Sequence, residues 1–292
     1  MKDSRARAPT AAVLSGLLKL MRPKQWVKNG FVLIPLVFSG LFTDVLKIES
    51  ILAAAVLFCI ASSTTYIIND MGDIERDRAH PKKSRSRPLA AGIVTIQQAI
   101  FLLILLYITL AIALFFMPRL APAILGYIAL NIAYTLVLKH TPVVDIFSIA
   151  IGFVLRIYAG TVALQVPISS WMFVTTMCLA LYLAAVKRRQ ELSQSGAKGR
   201  SVLKKYSLSL TDRYAEMSAT GALVFYSMYV MSERPSLVVT VPLALFGLFR
   251  YWYVVEELNE GESPTDALLS DWQLIVTIFA WIAVCIWALS PK

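Results

Sequence analysis

Apolar residues in this chain come in long runs, not at the spacing of half-buried helices or strands. Nine runs stand out, at 28–44, 50–69, 96–117, 120–138, 143–164, 168–186, 214–232, 235–255 and 272–289. Most approach the roughly 20 residues that a helix rising about 1.5 Å per residue needs to cross about 30 Å of hydrocarbon. Within lipid each backbone N–H and C=O must be satisfied inside its own segment, so the runs predict helices. The first is the weakest, because Pro35 interrupts it. The pattern predicts an all-α, polytopic membrane protein of about nine transmembrane helices. Residues 1–292 form one membrane-embedded domain, with 1–27 as an N-terminal arm.

Composition agrees. Hydrophobic residues make up 58% and charged residues only 16%, against about 25% charged in a soluble domain. The mean hydropathy is +0.66. Of 28 Lys and Arg, all but five fall in the N-terminal stretch through Lys28 and in or beside every second connection. The exceptions are Lys47, Arg119, Arg234 and Lys292 on the opposite face, and Arg156 within a span. Positive charge is retained on the cytoplasmic side, so the N-terminus and the long polar segments 70–95, 187–213 and 256–271 are expected in the cytoplasm. The chain is expected in the plasma (inner) membrane with its C-terminus outside. The arm has no short apolar region with a cleavage site, so no cleaved signal is expected. The 187–213 segment mixes basic residues with Gly and Ser and reads as a partly mobile loop.

The net charge of +10 does not indicate nucleic acid, because the bases hug the membrane ends and form no separate basic domain. Topogenic charge, anionic lipid and a phosphate-rich substrate each account for it. Cys59, Cys178 and Cys285 lie in apolar spans without metal-ligand spacing and read as small apolar fillers. A homo-oligomer is compatible with the pattern.

Candidate chemistry is densest after the second run. Asn69, Asp73 and Asp77 are spaced four apart, so a helix stacks them on one face. Carboxylates grouped at a membrane helix end need a cation, and hard oxygen ligands suit Mg²⁺, which commonly takes one or two carboxylates and completes its shell with substrate phosphates. The alternative is a solvated helix end ion-paired to Arg76 and Arg78. Six bases follow between Arg76 and Arg87, including Lys83, Arg85 and Arg87. Acids for a metal followed by bases for phosphate oxygens suit a metal-diphosphate site.

This stretch, with the Arg87, Pro88, Leu89 run after it, resembles the first aspartate-rich motif of the UbiA-type intramembrane prenyltransferases. The resemblance covers nearly the whole chain and implies a UbiA-like helical bundle with a Mg²⁺-diphosphate site on cytoplasmic loops. Where such proteins carry a second acidic motif after the sixth helix, this chain has Lys187, Arg188, Arg189, Gln190 and Glu191, one acid among three bases. That departure weakens a reading as an aromatic or haem prenyltransferase, the main alternative. A transporter is a weaker one, because the charge lies at helix ends and not at the midplane.

Three further stretches are similar to the decaprenyl-phosphate phosphoribosyltransferase branch. They are Arg22 to Asn29, in which Pro23 starts a helix with Lys24 and Lys28 on one face; Lys139 through Asp145 to Arg156; and Gly261 to Asp271. The branch transfers a 5-phosphoribosyl group from phosphoribosyl diphosphate to a polyprenyl phosphate, toward lipid-linked pentose donors for cell-wall polysaccharide. The resemblance implies that Asn69, Asp73 and Asp77 hold Mg²⁺ on the leaving diphosphate, with Asp73 and Asp77 catalytic. Lys24, Lys28, Lys83, Arg85, Arg87, Lys139, Lys187 and Arg188 become candidates for phosphate oxygens. Tyr66, one turn before Asn69, is a candidate substrate contact, and Glu191 a metal or ribose ligand. Arg156 is expected either to bind phosphate or to pair with Asp145, since a lipid-facing arginine is costly. Trp26, Trp171, Trp252 and Trp272 read as interface anchors.

Overall fold

The computed structural model describes residues 9–81, 83–195, 201–256 and 270–290. Most of the Gly261–Asp271 stretch lies outside them, as do residues 1–8, Lys82, 196–200 and Lys292. The described residues form helices joined by turns, with no strand among them: α1 Thr10–Leu20, α2 Ile34–Ser39, α3 Val45–Gly72, α4 Ile74–Arg78, α5 Lys83–Ser86, α6 Ile96–Phe116, α7 Ala121–Leu136, α8 Val144–Leu164, α9 Ser170–Ser195, α10 Leu208–Glu233, α11 Val241–Glu256 and α12 Trp272–Leu289.

Seven described segments are long and apolar enough to cross a membrane: α3, α6, α7, α8, α9, α11 and α12, some with a short lead-in turn. Two of the nine expected spans differ. The 214–232 run sits in α10, which is long enough at 26 residues but carries Ser218, Thr220, Ser227 and three tyrosines, which lower its hydropathy. The 28–44 run is no single helix. A 3₁₀ strap, Pro23–Leu33, leads into the six-residue α2, which ends at Gly40 with φ +75°. Pro35 has no N–H to continue the ladder, and Gly40 alone takes the left-handed turn without strain.

α3 and α8 are the central helices, each more than half buried over its apolar window, whereas α6 and α12 turn most of theirs outward. Phe101, Phe115 and Phe116 on α6 and Phe279 and Trp287 on α12 are exposed, as a lipid-facing rim requires. The largest core joins the strap, α3, α7 and α8 around Phe58, Ile124, Tyr127 and Leu164. α9 and α10 form the most extensive helix pair. They approach closely where Gly221 meets Cys178, since a Cβ at Gly221 would stand 3.1 Å from the Cys178 Sγ. Both ends of the 187–213 segment are helix: α9 runs on to Ser195 and α10 begins at Leu208, capped by the Ser207 hydroxyl, which accepts from the Leu210 N–H.

Candidate functional site

One contact fixes which helix ends share a face. Lys47, in the first turn of α3, donates through Nζ to the Leu164 carbonyl at the C-terminus of α8, at 2.8 Å. The two helices are therefore antiparallel, and the acidic end of α3 lies at the same end of the bundle as Asp145, at the start of α8. The strap enters from this end. Arg22, just before it, pairs with Asp70, Asn29 lies deeper against Ser62, and Val32 lies deeper still against Gly160.

The acids at the end of α3 divide into two roles. Asp70 is buried and accepts from both Arg22 and Arg87, and the Arg22 guanidinium also covers the Tyr66 ring, 4.8 Å from its centroid. Arg87, a candidate phosphate ligand, is thus committed to a structural carboxylate, and Tyr66 is covered by Arg22. In sequence Asp70 has no distinct signal. On the helix it sits about 100° from Asn69 and points into the bundle, where an unpaired carboxylate is costly.

Asn69, Asp73 and Asp77 remain for a cation. The Asn69 side chain makes no hydrogen bond among the described residues. Asp73 ends α3 and accepts at 2.6 Å from the exposed Arg76. Asp77 is buried in α4, with the Lys83 Nζ at 3.7 Å. The helix breaks at Asp73 (φ −105°, ψ 8°), so the three are not on one continuous helix face as the spacing predicts. No group of three or more His, Cys, Asp or Glu placed to hold a metal occurs among the described residues. Two carboxylates and an amide suit a Mg²⁺ that takes the rest of its shell from a substrate diphosphate. Arg85 is exposed nearby.

The basic side is built differently from the expectation. Arg188 is completely buried. Its Nε donates to Asp145 Oδ2 at 2.6 Å, Nη1 to Glu191 Oε2 at 2.6 Å and Nη2 to the Tyr134 hydroxyl at 2.9 Å. All three nitrogens are occupied by protein oxygens, so Arg188 ties α7, α8 and α9 together and does not reach a phosphate. Glu191 is its partner. Tyr206 completes the network: its hydroxyl donates to Asp145 Oδ1 at 2.6 Å and accepts from the Val143 N–H at 2.7 Å. Burial and the Asp145 hydrogen bond push the Tyr206 hydroxyl pKa up, so it stays protonated as the donor. Val143 is held at φ +68°, strained for a β-branched residue, in the turn after Lys139. Tyr134 and Tyr206 carry no motif that marks them in the sequence; only the fold brings them to Arg188. Lys139 is half-buried at this end of α7, and Lys187 lies one residue before Arg188 on α9.

Arg156 does not pair with Asp145. Its Nε donates to Asn29 Oδ1 at 2.8 Å, Nη1 to the Gly152 carbonyl at 2.8 Å and Nη2 to the Tyr127 hydroxyl at 3.1 Å. The rings of Phe58, Tyr127 and Phe153 surround it at 4.7–5.8 Å. Lys24 and Lys28 lie on the strap, where three residues per turn put them about 120° apart, so they do not share a face. Trp26 is no interface anchor: its Nε1 donates to Ser63 Oγ at 3.1 Å and fastens the strap to α3.

The remaining helices reach the same end. Arg189 bridges Asp212 of α10 and Glu256 of α11. Arg250 of α11 donates to both Asp271 oxygens, at 3.2 and 2.7 Å, while Asp271 caps α12 by accepting from the Leu274 N–H at 2.8 Å. The Arg250 hydrogen bonds hold the Asp271 carboxyl below the usual carboxylate range. With the folded value lowered, this pair stabilises above the unfolded pKa of about 4 and loses its contribution as pH falls through the folded value. Asp271→Asn keeps a capping side chain and removes the charge. The variant should be less thermostable than wild type at pH 7, with the gap closing toward pH 3 in detergent melting curves.

Beside the strap lies an apolar cavity of about 370 Å³ between α2, α9, α10, α11 and α12, bounded by Phe31, Leu179, Tyr226, Gly247, Thr277 and Trp281. Phe31 is on the strap, two residues from Asn29, so the cavity adjoins the element that carries Lys24 and Lys28.

A model of the UbiA prenyltransferase family matches residues 32–270. The chain is 36% identical to a decaprenyl-phosphate phosphoribosyltransferase of Mycolicibacterium smegmatis, over 94% of this chain and 92% of that one. It is 33% identical to the protein of that name in Corynebacterium glutamicum, over 97% and 89%. A solved structure of a UbiA homolog from Archaeoglobus fulgidus, bound to GPP and Mg²⁺, shares the fold with a TM-score of 0.72 at 17% identity, over 94% of this chain and 99% of that one.

Proposed function

Because this chain belongs to the UbiA prenyltransferase family, we propose that it is a Mg²⁺-dependent membrane transferase that moves the 5-phosphoribosyl group of phosphoribosyl diphosphate onto a decaprenyl-like polyprenyl phosphate. The whole chain acts as one catalytic domain, with its charged end facing the cytoplasm from the plasma (inner) membrane. The observation that carries this reading is the asymmetry of the charged end. Among the described residues of that end, Asp73 and Asp77 pair with the exposed bases Arg76 and Lys83, while the matching end of α9 is a buried Arg188 network. One diphosphate-metal site beside basic residues suits a donor with a diphosphate at C1 and a phosphate at C5. The near-full-length relatives named for that transfer support the same reading.

Asn69, Asp73 and Asp77 would hold Mg²⁺, and the ion would supply positive charge against that developing on the departing diphosphate. Lys24, Lys28, Lys83, Arg85, Lys139 and Lys187 supply cations to the donor and lipid phosphates. An oxygen of the lipid phosphate forms the bond to C1 as the C1–O bond to diphosphate breaks and the electron pair leaves with diphosphate. The incoming phosphate is already anionic, so no residue has to remove a proton from it. The apolar cavity beside Phe31 takes the first part of the polyprenyl chain and presents its phosphate toward the strap.

Labelled phosphoribosyl diphosphate and a panel of polyprenyl phosphates, with the lipid product read by mass spectrometry, test the activity. A purified protein that ignores this donor but prenylates an aromatic acid overturns the reading. The cavity has its own test. Gly247→Trp places a large ring where a Cβ meets only Thr277, at 3.8 Å. It should raise KM for the lipid about tenfold and leave KM for the donor unchanged.

A further inference from the structure

Arg156 is an arginine inside a membrane bundle with no carboxylate partner among the described residues. Its environment explains how it is tolerated. Three neutral acceptors take N–H groups from all three nitrogens, and three aromatic faces stabilise the cation where water cannot. The same rings wall it off from a phosphate, and it is only 4% exposed.

What Arg156 reaches is the strap. Asn29 is buried at the middle of the strap and is held from both sides. It accepts from Arg156, and its Nδ2 donates to Ser62 Oγ at 3.1 Å and Cys59 Sγ at 3.3 Å on α3. One helical turn along α8, Gly160 lies directly under the Val32 carbonyl and Pro35, so that a Cβ there would collide with the backbone of the strap. α8 thus offers a bare seat at Gly160 and a fixed donor at Arg156, both to one element. That element is a 3₁₀ segment of 11 residues, far longer than the three or four residues such helices usually sustain alone. Its conformation is therefore imposed by what it rests on.

We propose that Arg156, through Asn29, with Gly160 beneath Val32, is a positioning device that sets the strap and so places Lys24 and Lys28 at the donor's phosphates; Arg156 is not itself a phosphate ligand. The assignment of Lys24 and Lys28 rests on the proposed phosphoribosyl transfer; the seating of the strap does not. A rigid seat matters because a shift of about 1 Å in a positioning group can cost about a hundredfold in rate.

A double-variant cycle on purified full-length protein tests it. Arg156→Gln and Asn29→Ala should each raise KM for phosphoribosyl diphosphate about tenfold, and the double variant should be no worse than either single, as expected for residues acting through one contact. Asn29→Asp, which keeps an acceptor for Arg156, should recover most of the loss. KM for the lipid should not move. Single effects that multiply in the double variant would make Arg156 an independent ligand and overturn the proposal. A second readout needs no substrate. Limited trypsin digestion, mapped by mass spectrometry, should leave Lys24 and Lys28 protected in wild type and cleave there in Arg156→Gln, Asn29→Ala and Gly160→Ala. Equal cleavage in wild type and variants overturns the seating whatever the activity. Strap protection lost as expected, in a protein that does not use phosphoribosyl diphosphate, refutes the proposed function and leaves the seating standing.

Discussion

Replacing Asp73 and Asp77 together by Asn should lower turnover by about a thousandfold or more while the protein still folds. The two side chains differ from their neighbour Asp70 in what holds them. Asp70 is buried between Arg22 and Arg87, so removing its charge leaves two guanidinium groups facing an amide. Among the described residues, Asp73 pairs with the exposed Arg76 and Asp77 with Lys83 at 3.7 Å. Both bases reach solvent, and the contact to the buried Asp77 is long, so little folding energy depends on these pairs. The loss should therefore appear as diphosphate release falling to background with the melting temperature within about two degrees of wild type, a shift of less than about 1 kcal/mol. Full turnover in the double Asn variant would remove the metal assignment. Collapse of the fold would mean that these carboxylates are structural, as Asp70 is.

Arg188→Ala should show the opposite signature, a large loss of stability. Cutting back this side chain leaves Asp145 buried without its Arg188 cation and removes one hydrogen bond each from the Tyr134 hydroxyl and Glu191. Breaking a buried ion pair by removing one partner costs about 3–5 kcal/mol. Thermal unfolding in detergent should register this as a drop of many degrees. Arg188→Met combined with Asp145→Asn removes both charges at similar volume and should recover part of the loss. An Arg188→Ala protein that melts like wild type but no longer binds donor would return Arg188 to the phosphate ligands suggested by its motif. Lys139→Ala, at the neighbouring helix end but outside the described ion pairs, should lower activity and leave stability unchanged.

The two variants separate groups that a motif reads alike. Asp70, Asp73 and Asp77 are all acids in one stretch, and Lys187 and Arg188 are adjacent bases. The spacing of Asn69, Asp73 and Asp77 puts them on one stripe of a single helix, but the helix breaks at Asp73. The four-residue spacing of Lys24 and Lys28 shares a face only at 3.6 residues per turn, and the strap has three. Arg156 does not pair with Asp145, because Asn29, 127 positions away, folds against it.

The membrane helices, the charged end and the family were determined by the sequence by itself. Each depends on summed local properties: apolar length against bilayer thickness, basic residues counted loop by loop, and a motif within a dozen positions. Those quantities do not change when the chain folds. Which charges are structural and which remain for chemistry was decided by the tertiary structure alone. A buried charge must find a partner or a polar shell, and the partners here come from other helices: Arg22 for Asp70, Asp145 and Tyr134 for Arg188, Asn29 and Tyr127 for Arg156. Spacing along the chain cannot encode those meetings, because packing α3, α7, α8 and the strap into one bundle is what brings the residues together.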